Sequence, residues 1–292
     1  MRKYSFTTKK TIMRNPMRFE TMHLIRVYDE GESESSIFNY DNKCDTIEQY
    51  LNNEINQNIL NIEVVGLNNE ELSAILLANK NTIQTLNVIS QYISDLSALS
   101  DCKAIKSVKL ASQATSLTLF NTAENNNLQS LWLELPNCEI LNNLQGLKNS
   151  TLSTFKLLGY QRKVPDLTLF SLNDISWLLT LKNLKDLSLH CPFDMDKLNL
   201  IKTLAKLTNL EELNLPKTCF TFKEFAWLSS KLEGVKGLDA FLTYYKDHRR
   251  DIHMFVILGS DMVDVEDERP YVEEYNYLKE EYKSLDNPPI GE

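Results

Sequence analysis

A six-residue pattern of apolar and polar positions recurs along the chain. Its form is φ-x-x-φ-x-φ, where φ is an apolar residue, as in LKDLSL at 184–189. Seven copies start at Ile59, Ile83, Ile105, Leu128, Leu152, Leu184 and Leu210. The intervals between them are 24, 22, 23, 24, 32 and 26 residues. Because φ-x-φ alternation is typical of a strand with one buried face, the pattern predicts seven short strands at near-regular spacing.

The segments between the motifs must return the chain to the next strand. Three of them, 71–77, 198–204 and 222–228, carry apolar residues at helical spacing. A single strand with its return segment cannot bury its apolar side, whereas a stack of such units forms a continuous core. We therefore expect an α/β fold: a leucine-rich repeat solenoid over 59–238, with a curved parallel sheet on the concave side and helices and turns on the convex side. A degraded eighth copy begins at Leu232, and the 32-residue interval predicts an insertion at 158–175 that includes 161–166.

The flanking segments are predicted to form α/β caps at both ends. In the first cap, 22–58, a strand is expected at 22–28, and Thr46 and Gln49 have capping-box spacing before a helix. In the second cap, 239–286, the apolar run 253–258 predicts a buried strand, and Pro270 fits the first turn of a helix. That helix would bury one face, made of Tyr271, Val272, Tyr275, Leu278 and Tyr282. Residues 1–21 are expected to be a disordered basic tail, and 287–292 to fray.

Two segments resemble the bacterial internalin-like class of leucine-rich repeats. They are ISDLSAL at 93–99, leading to IKSVKL at 105–110, and DISWLL at 174–179, leading to LKDLSL at 184–189. In that class an I-x-D-I/L-S-x-L turn feeds each strand, and an Asn follows the strand in a backbone ladder. Here the ladder positions hold Leu67, Gln91, Gln113, Pro136, Tyr160, Pro192 and Thr218. The resemblance, over roughly 59–238, thus implies an irregular solenoid without an Asn ladder and with helical convex segments in places.

Charge and cysteine usage narrow the function classes. The formal net charge is −9, although the first 19 residues carry six basic side chains and no acidic one. An acidic body repels phosphate, so we expect no nucleic-acid ligand and a partner with a basic surface. Five widely spaced cysteines without a C-x-x-C pair indicate reduced thiols and no zinc site. Without a membrane-spanning run or the apolar core of a signal peptide, a cytoplasmic location is expected, and export without a cleavable signal stays an alternative.

The sequence contains none of the common catalytic motifs. No Gly-rich phosphate loop, G-x-S-x-G or H-E-x-x-H occurs. His190 and Cys191 are neighbours on a predicted strand, so their side chains point to opposite faces and do not form a dyad. We expect no catalytic residue, no cofactor and no metal, and hence no enzyme.

The outward positions of the predicted strands are the remaining candidates for function. Lys109, Trp132 and Lys156 fall at the central outward position of three consecutive repeats. Such a Trp flanked by lysines has the composition of an interface hot spot, and the alternative is that Trp132 packs on the lysine stems with no further role. The positions just after the motif add Ile89, Glu134, Leu158 and His190 to the predicted binding face.

The sequence thus predicts a monomeric, non-enzymatic module that binds a protein partner, of unknown identity, through the concave face. Two alternatives stay open. One is an immunity- or inhibitor-type protein that neutralises a toxin or an enzyme, and the other is an exported bacterial effector.

Overall fold

A computed structural model describes most of the chain, which divides into two compact units, residues 1–170 and 171–292. The described residues are 2–14, 17–29, 41–54, 57–122, 127–148, 151–159, 170–216, 219–238, 240–246, 251–258, 261–265, 267 and 269–290. Most of the predicted insertion, including 161–166, lies outside them.

The first unit is built around a mostly parallel sheet. Its strands are β1 (Arg2–Arg14), β2 (Met17–Asp29), β3 (Asn42–Cys44), β4 (Asn61–Val65), β5 (Thr85–Ser90), β6 (Ser107–Ser112), β7 (Ser116–Thr118), β8 (Ser130–Glu134), β9 (Ile140–Asn142) and β10 (Thr154–Leu158). The sheet order is β3-β1-β2-β4-β5-β6-β8-β10. All pairs from β2 to β10 are parallel, and β1 is antiparallel to β2 and β3. A separate parallel pair joins β7 and β9. The α/β class with a large, mostly parallel sheet is confirmed.

The motif positions determine the strands. All seven predicted strands are present, and each begins two residues after the first apolar residue of its motif. All twenty-one apolar motif residues are buried. Phe155, for example, is 0% exposed, whereas its strand neighbours Thr154 and Lys156 are half-buried. Alternation with period two therefore places the core on one face of the sheet and leaves the other face for polar residues.

Short helices and 3-10 turns return the chain between strands. They are α1 (Ile47–Leu51), α2 (Asn69–Ala78) and the 3-10 turns Ser97–Asp101 and Leu144–Leu147. The Asn68 side chain caps α2 in a full capping box with Glu71, whose Oε1 also accepts a 2.7 Å bond from Tyr4 Oη. At α1 the predicted Thr46 cap is present, but Gln49 accepts from the amide of Asp45 rather than from that of Thr46.

Serine and asparagine side chains join successive strand-and-return segments. Ser90 Oγ donates to the carbonyl of Leu67, and Ser112 Oγ donates to that of Ile93 at 2.7 Å. Both serines lie one residue before the expected Asn positions. Elsewhere, Asn127 Nδ2 donates to the carbonyl of Lys103, 24 residues earlier. Side-chain bonding to neighbouring backbone therefore exists without the Asn ladder.

The expected tail at the amino terminus is wrong for the described residues. Residues Arg2–Arg14 form β1, which pairs along its whole length with Met17–Asp29. The basic charges of this segment suggested a tail, but Tyr4 and Phe6 are buried and pair with Val27 and Ile25. Burial of these two aromatic rings outweighs the local charge pattern.

The second unit begins with two parallel strands, β11 (Asp186–His190) and β12 (Glu212–Asn214). Its helical segments are the 3-10 turn Ser176–Thr180, α3 (Lys197–Ala205), α4 (Phe222–Lys231) and α5 (Arg269–Tyr282). The degraded eighth motif gives no strand. Instead, a single bridge pairs Glu212 with Lys236. The next residue, Gly237, has φ +87°, and a Cβ there would lie 2.4 Å from the carbonyl oxygen of Leu213.

An antiparallel sheet and a helix follow in the same unit. The sheet is formed by β13 (Phe241–Lys246), β14 (Asp251–Leu258) and β15 (Asp261–Val265). Strand β14 and helix α5 were predicted, whereas β13 and β15 were not. Tyr275 of α5 is buried against the rings of Phe222 and Phe241, and its hydroxyl donates to the Leu238 carbonyl. Aromatic packing therefore fixes α5.

The expected fraying from residue 287 is also wrong for its described part. Pro288 is buried, and the amide of Ile290 donates to the Pro288 carbonyl at 2.9 Å. Just before it, Trp227 Nε1 donates to the carbonyl of Leu285 at 3.1 Å. The Trp227 bond therefore ties the chain just before this segment to α4.

Candidate functional site

The face of the first-unit sheet opposite the buried motif residues is called the outward face here. Its side chains line up in rows because the parallel strands are in register. The central row consists of Glu63, Asn87, Lys109, Trp132 and Lys156. The next row, toward the carboxyl ends of the strands, consists of Val65, Ile89, Ala111, Glu134 and Leu158. Six of the seven predicted site residues therefore lie in two adjacent rows of one face.

Trp132 is flanked by two lysines in the central row. Strand β8 lies between β6 and β10, which places Lys109 on one side of the ring and Lys156 on the other side of the strand. Lys109 Nζ is 4.0 Å from the ring centroid and Lys156 Nζ is 5.7 Å from it. A cation over an indole ring contributes about 0.5–1 kcal/mol when exposed and about 2 kcal/mol when desolvated. The ring therefore gathers two ammonium groups.

Glu134 adds an ion pair to this cluster. Its Oε1 lies 3.3 Å from Lys109 Nζ, although the two residues occupy different rows. The side chains of both are partly exposed, so the pair contributes at most about 1 kcal/mol. We call Lys109, Trp132, Glu134 and Lys156 the Trp132 cluster. Three of its four members carry charge, and their sum is +1, opposite in sign to the chain.

Apolar side chains stand in the row that contains Glu134. Ile89 is 47% exposed. Val65 and Leu158 in the same row are half-buried. The outward face thus combines apolar and charged groups, as a binding surface does.

Asn87 and Glu63 extend the central row away from the Trp132 cluster. Asn87 Nδ2 donates to Glu63 Oε2 at 2.9 Å. Two other buried atoms of the row, Asn87 Oδ1 and Trp132 Nε1, have no hydrogen-bond partner among the described residues. No sequence pattern marks the hydrogen bond between Asn87 and Glu63, because a 24-residue separation carries no pairing signal.

His190, the seventh predicted site residue, belongs to the second unit. It is the last residue of β11 and is exposed. Ser188, at the predicted outward position of the same strand, is instead buried, and Asn214 Nδ2 donates to its Oγ at 3.5 Å. The outward pattern of the first unit is therefore not repeated at Ser188.

The cysteine thiols are poorly suited to thiolate chemistry. Burial raises the pKa of Cys102 and of Cys138 to about 11. Burial, with a smaller effect of Cys219, raises the pKa of Cys191 to about 12. These three thiols stay protonated at neutral pH, and the thiolate is the nucleophilic form.

The described part of the chain contains no group of three or more His, Cys, Asp or Glu side chains arranged to hold a metal ion. Within the same residues, no helix has the length and apolar character needed to cross a bilayer.

Comparison with known proteins adds no relative. No protein-family model matches the chain, and no curated protein gives a significant match. Function is therefore inferred from the geometry of the outward face.

Proposed function

We propose that the chain is a non-enzymatic protein-interaction module of the leucine-rich repeat type, similar to internalins, which binds a protein partner through the outward face. The repeated motif supports the repeat assignment, since each of seven copies gives one parallel strand at the same offset. Asp95 and Asp174 add local support. Each accepts a 2.7 Å bond from the amide two residues later, before a 3-10 turn, at the Asp position of the internalin-like turn.

The Trp132 cluster is the observation that carries the binding proposal. Interface hot spots are enriched in Trp and are surrounded by contacts that exclude water. Trp132 stands fourth of the five residues in the central row, and the adjacent row exposes Ile89. The purely structural alternative, in which the lysine stems merely cover Trp132, gives no role to Ile89, which is exposed two strands away in the adjacent row. A protein partner accounts for both residues.

The test is recovery of a partner from the native cell with the full chain as bait. Trp132→Ala combined with Lys156→Glu removes the ring and reverses one charge, so we expect a specific partner to be lost. A matched control is Leu77→Ala with Lys80→Glu, which makes the same kinds of change at exposed positions on and just after α2. Unchanged recovery with the first variant, at equal folding by circular dichroism, would contradict the proposal. The recovered partner also decides between a binding module and an inhibitor of a toxin or enzyme.

A further inference from the structure

We infer that the Trp132 cluster binds an acidic, partly apolar segment of the partner, with carboxylates contacting Lys109 and Lys156. This inference rests on the proposed function and specifies the chemistry of the contact. It differs from the expectation drawn from whole-chain charge, which favours basic partners.

Local charge argues for an acidic segment. Lys109 and Lys156 lie on strands either side of β8, yet their Nζ atoms converge to 4.0 and 5.7 Å from one ring centroid. Like charges near one ring repel, and partner carboxylates placed beside the two lysines relieve that repulsion. A lysine or arginine of a partner approaching Trp132 would instead meet two ammonium groups. The cluster therefore selects against cations at a point where the chain as a whole attracts them.

Trp132 acts in this arrangement as a positioning residue. Its ring attracts both ammonium groups. Because the two lysine side chains are already ordered in the unbound protein, less conformational entropy is lost when a partner binds. Its indole Nε1 is buried without an acceptor among the described residues, so the ring contributes through its faces rather than through a hydrogen bond. Loss of the ring should weaken binding even though both lysines remain.

Glu134 is the internal competitor of the partner carboxylate. It lies 3.3 Å from Lys109 Nζ and offsets the charge of that lysine in the unbound protein. Because a partly exposed ion pair is worth at most about 1 kcal/mol, a partner carboxylate can replace Glu134 at little cost. Removal of the Glu134 charge should strengthen binding of an acidic segment.

The apolar character of the partner segment is inferred from the row that contains Glu134. Ile89 is 47% exposed, and Leu158 pairs with Glu134 in register. A segment that places carboxylates over the central row brings its neighbouring side chains over these two residues. Apolar residues beside the acidic ones would bury that surface.

Two fluorescein-labelled ten-residue peptides provide the test. In both peptides, Ser and Leu alternate around four charged positions, which are Glu in one peptide and Lys in the other. Binding of each peptide to the full chain is measured by fluorescence anisotropy. We expect saturable binding of the Glu peptide at concentrations up to about 1 mM and none of the Lys peptide. Lys109→Gln with Lys156→Gln should weaken the Glu peptide about tenfold, and Glu134→Gln should strengthen it about two- to fivefold.

A second lysine pair serves as the control. Lys80→Gln with Lys148→Gln removes the same charge at exposed positions of the first unit outside the outward face, and should leave binding within about twofold. Equal weakening by both double variants shows a general charge effect and overturns the inference. So do preference for the Lys peptide and absence of saturable Glu-peptide binding at about 1 mM.

The two experiments together distinguish failure of the acidic-segment inference from failure of the proposed function. If a cellular partner is lost with Trp132→Ala and Lys156→Glu but the Glu peptide shows no site-specific binding, the face binds a partner of different chemistry. If partner recovery is unchanged in that variant, the interaction proposal itself fails.

Discussion

Gly234 and Gly237 allow a direct test of the close backbone contact between Gly237 and β12. Both follow α4 and have similar positive φ angles, +80° and +87°. A Cβ at Gly237 would lie 2.4 Å from the Leu213 carbonyl oxygen, whereas a Cβ at Gly234 would meet nothing within 4 Å. Substitution by alanine therefore imposes the same unfavourable φ at both positions and a backbone collision at only one.

The difference in cost can be worked from these contacts. Positive φ costs an alanine about 1–2 kcal/mol, partly offset by about 0.4–1 kcal/mol from the reduced freedom of the unfolded chain. Gly234→Ala should thus lower the free energy of unfolding by about 1 kcal/mol. At Gly237 the backbone must also move away from β12, which breaks the 2.9 Å bond from the Leu213 amide to the Lys236 carbonyl. Unpaired buried groups cost about 1–3 kcal/mol, so Gly237→Ala should cost about 3 kcal/mol in total.

Urea unfolding followed by tryptophan fluorescence measures both values. In a Trp132→Phe background, the two remaining tryptophans, Trp177 and Trp227, both report on the second unit. Hydrogen exchange at the Leu213 amide gives the local counterpart and should accelerate more in Gly237→Ala than in Gly234→Ala. Equal losses of stability in the two variants, or a larger loss for Gly234→Ala, would refute the collision argument.

Three further predictions concern the core, a surface carboxylate and the thiols. Phe155→Ala, at a fully buried position, should lower the free energy of unfolding by about 3–5 kcal/mol in urea titrations, and a cost below about 1 kcal/mol would contradict its place in the core. A hydrogen bond and the charge of Lys185 lower the pKa of Glu211, so the pairing is present at neutral pH and is lost as the pH falls through that lowered pKa. Lys185→Met should therefore raise the pKa of Glu211 in a carbon-13 NMR titration, and an unchanged value would exclude the pairing in solution. Because burial raises the pKa of Cys102 and Cys138 to about 11, iodoacetamide at pH 7.5 should modify both slowly in the native protein and rapidly in urea, as mass spectrometry of the peptides would show.

The sequence predicted the strands well where apolar alternation is strong. Ile62 and Val64 are typical, since both are buried and flank the outward Glu63. A shift of this strand by one residue would turn both apolar side chains to the opposite face of the sheet. The same periodicity predicted the row of Lys109, Trp132 and Lys156, because equal offsets in successive motifs become neighbours in a parallel sheet.

Other features depend on contacts that no local pattern encodes. The ion pair between Lys109 and Glu134 joins different rows, and side-chain reach rather than strand register selects it. In β1, the basic residues suggested a tail, while the pairing of Tyr4 and Phe6 with β2 decided the structure. Ser90 lies one residue before the expected Asn position and makes a side-chain bond to the Leu67 carbonyl. The residue at the Asn position itself therefore gives no sign of that bond.

The regular spacing of strands β4, β5, β6, β8 and β10 has a consequence for how the first unit folds. Each of these strands pairs with the next one along the sheet, and the motif intervals are 24, 22, 23 and 24 residues. The entropy of loop closure grows only with the logarithm of loop length, so every added strand closes a loop of nearly the same small cost. Once two strands have paired, growth of this sheet can proceed by repetition of one local step, and it can begin from any neighbouring pair.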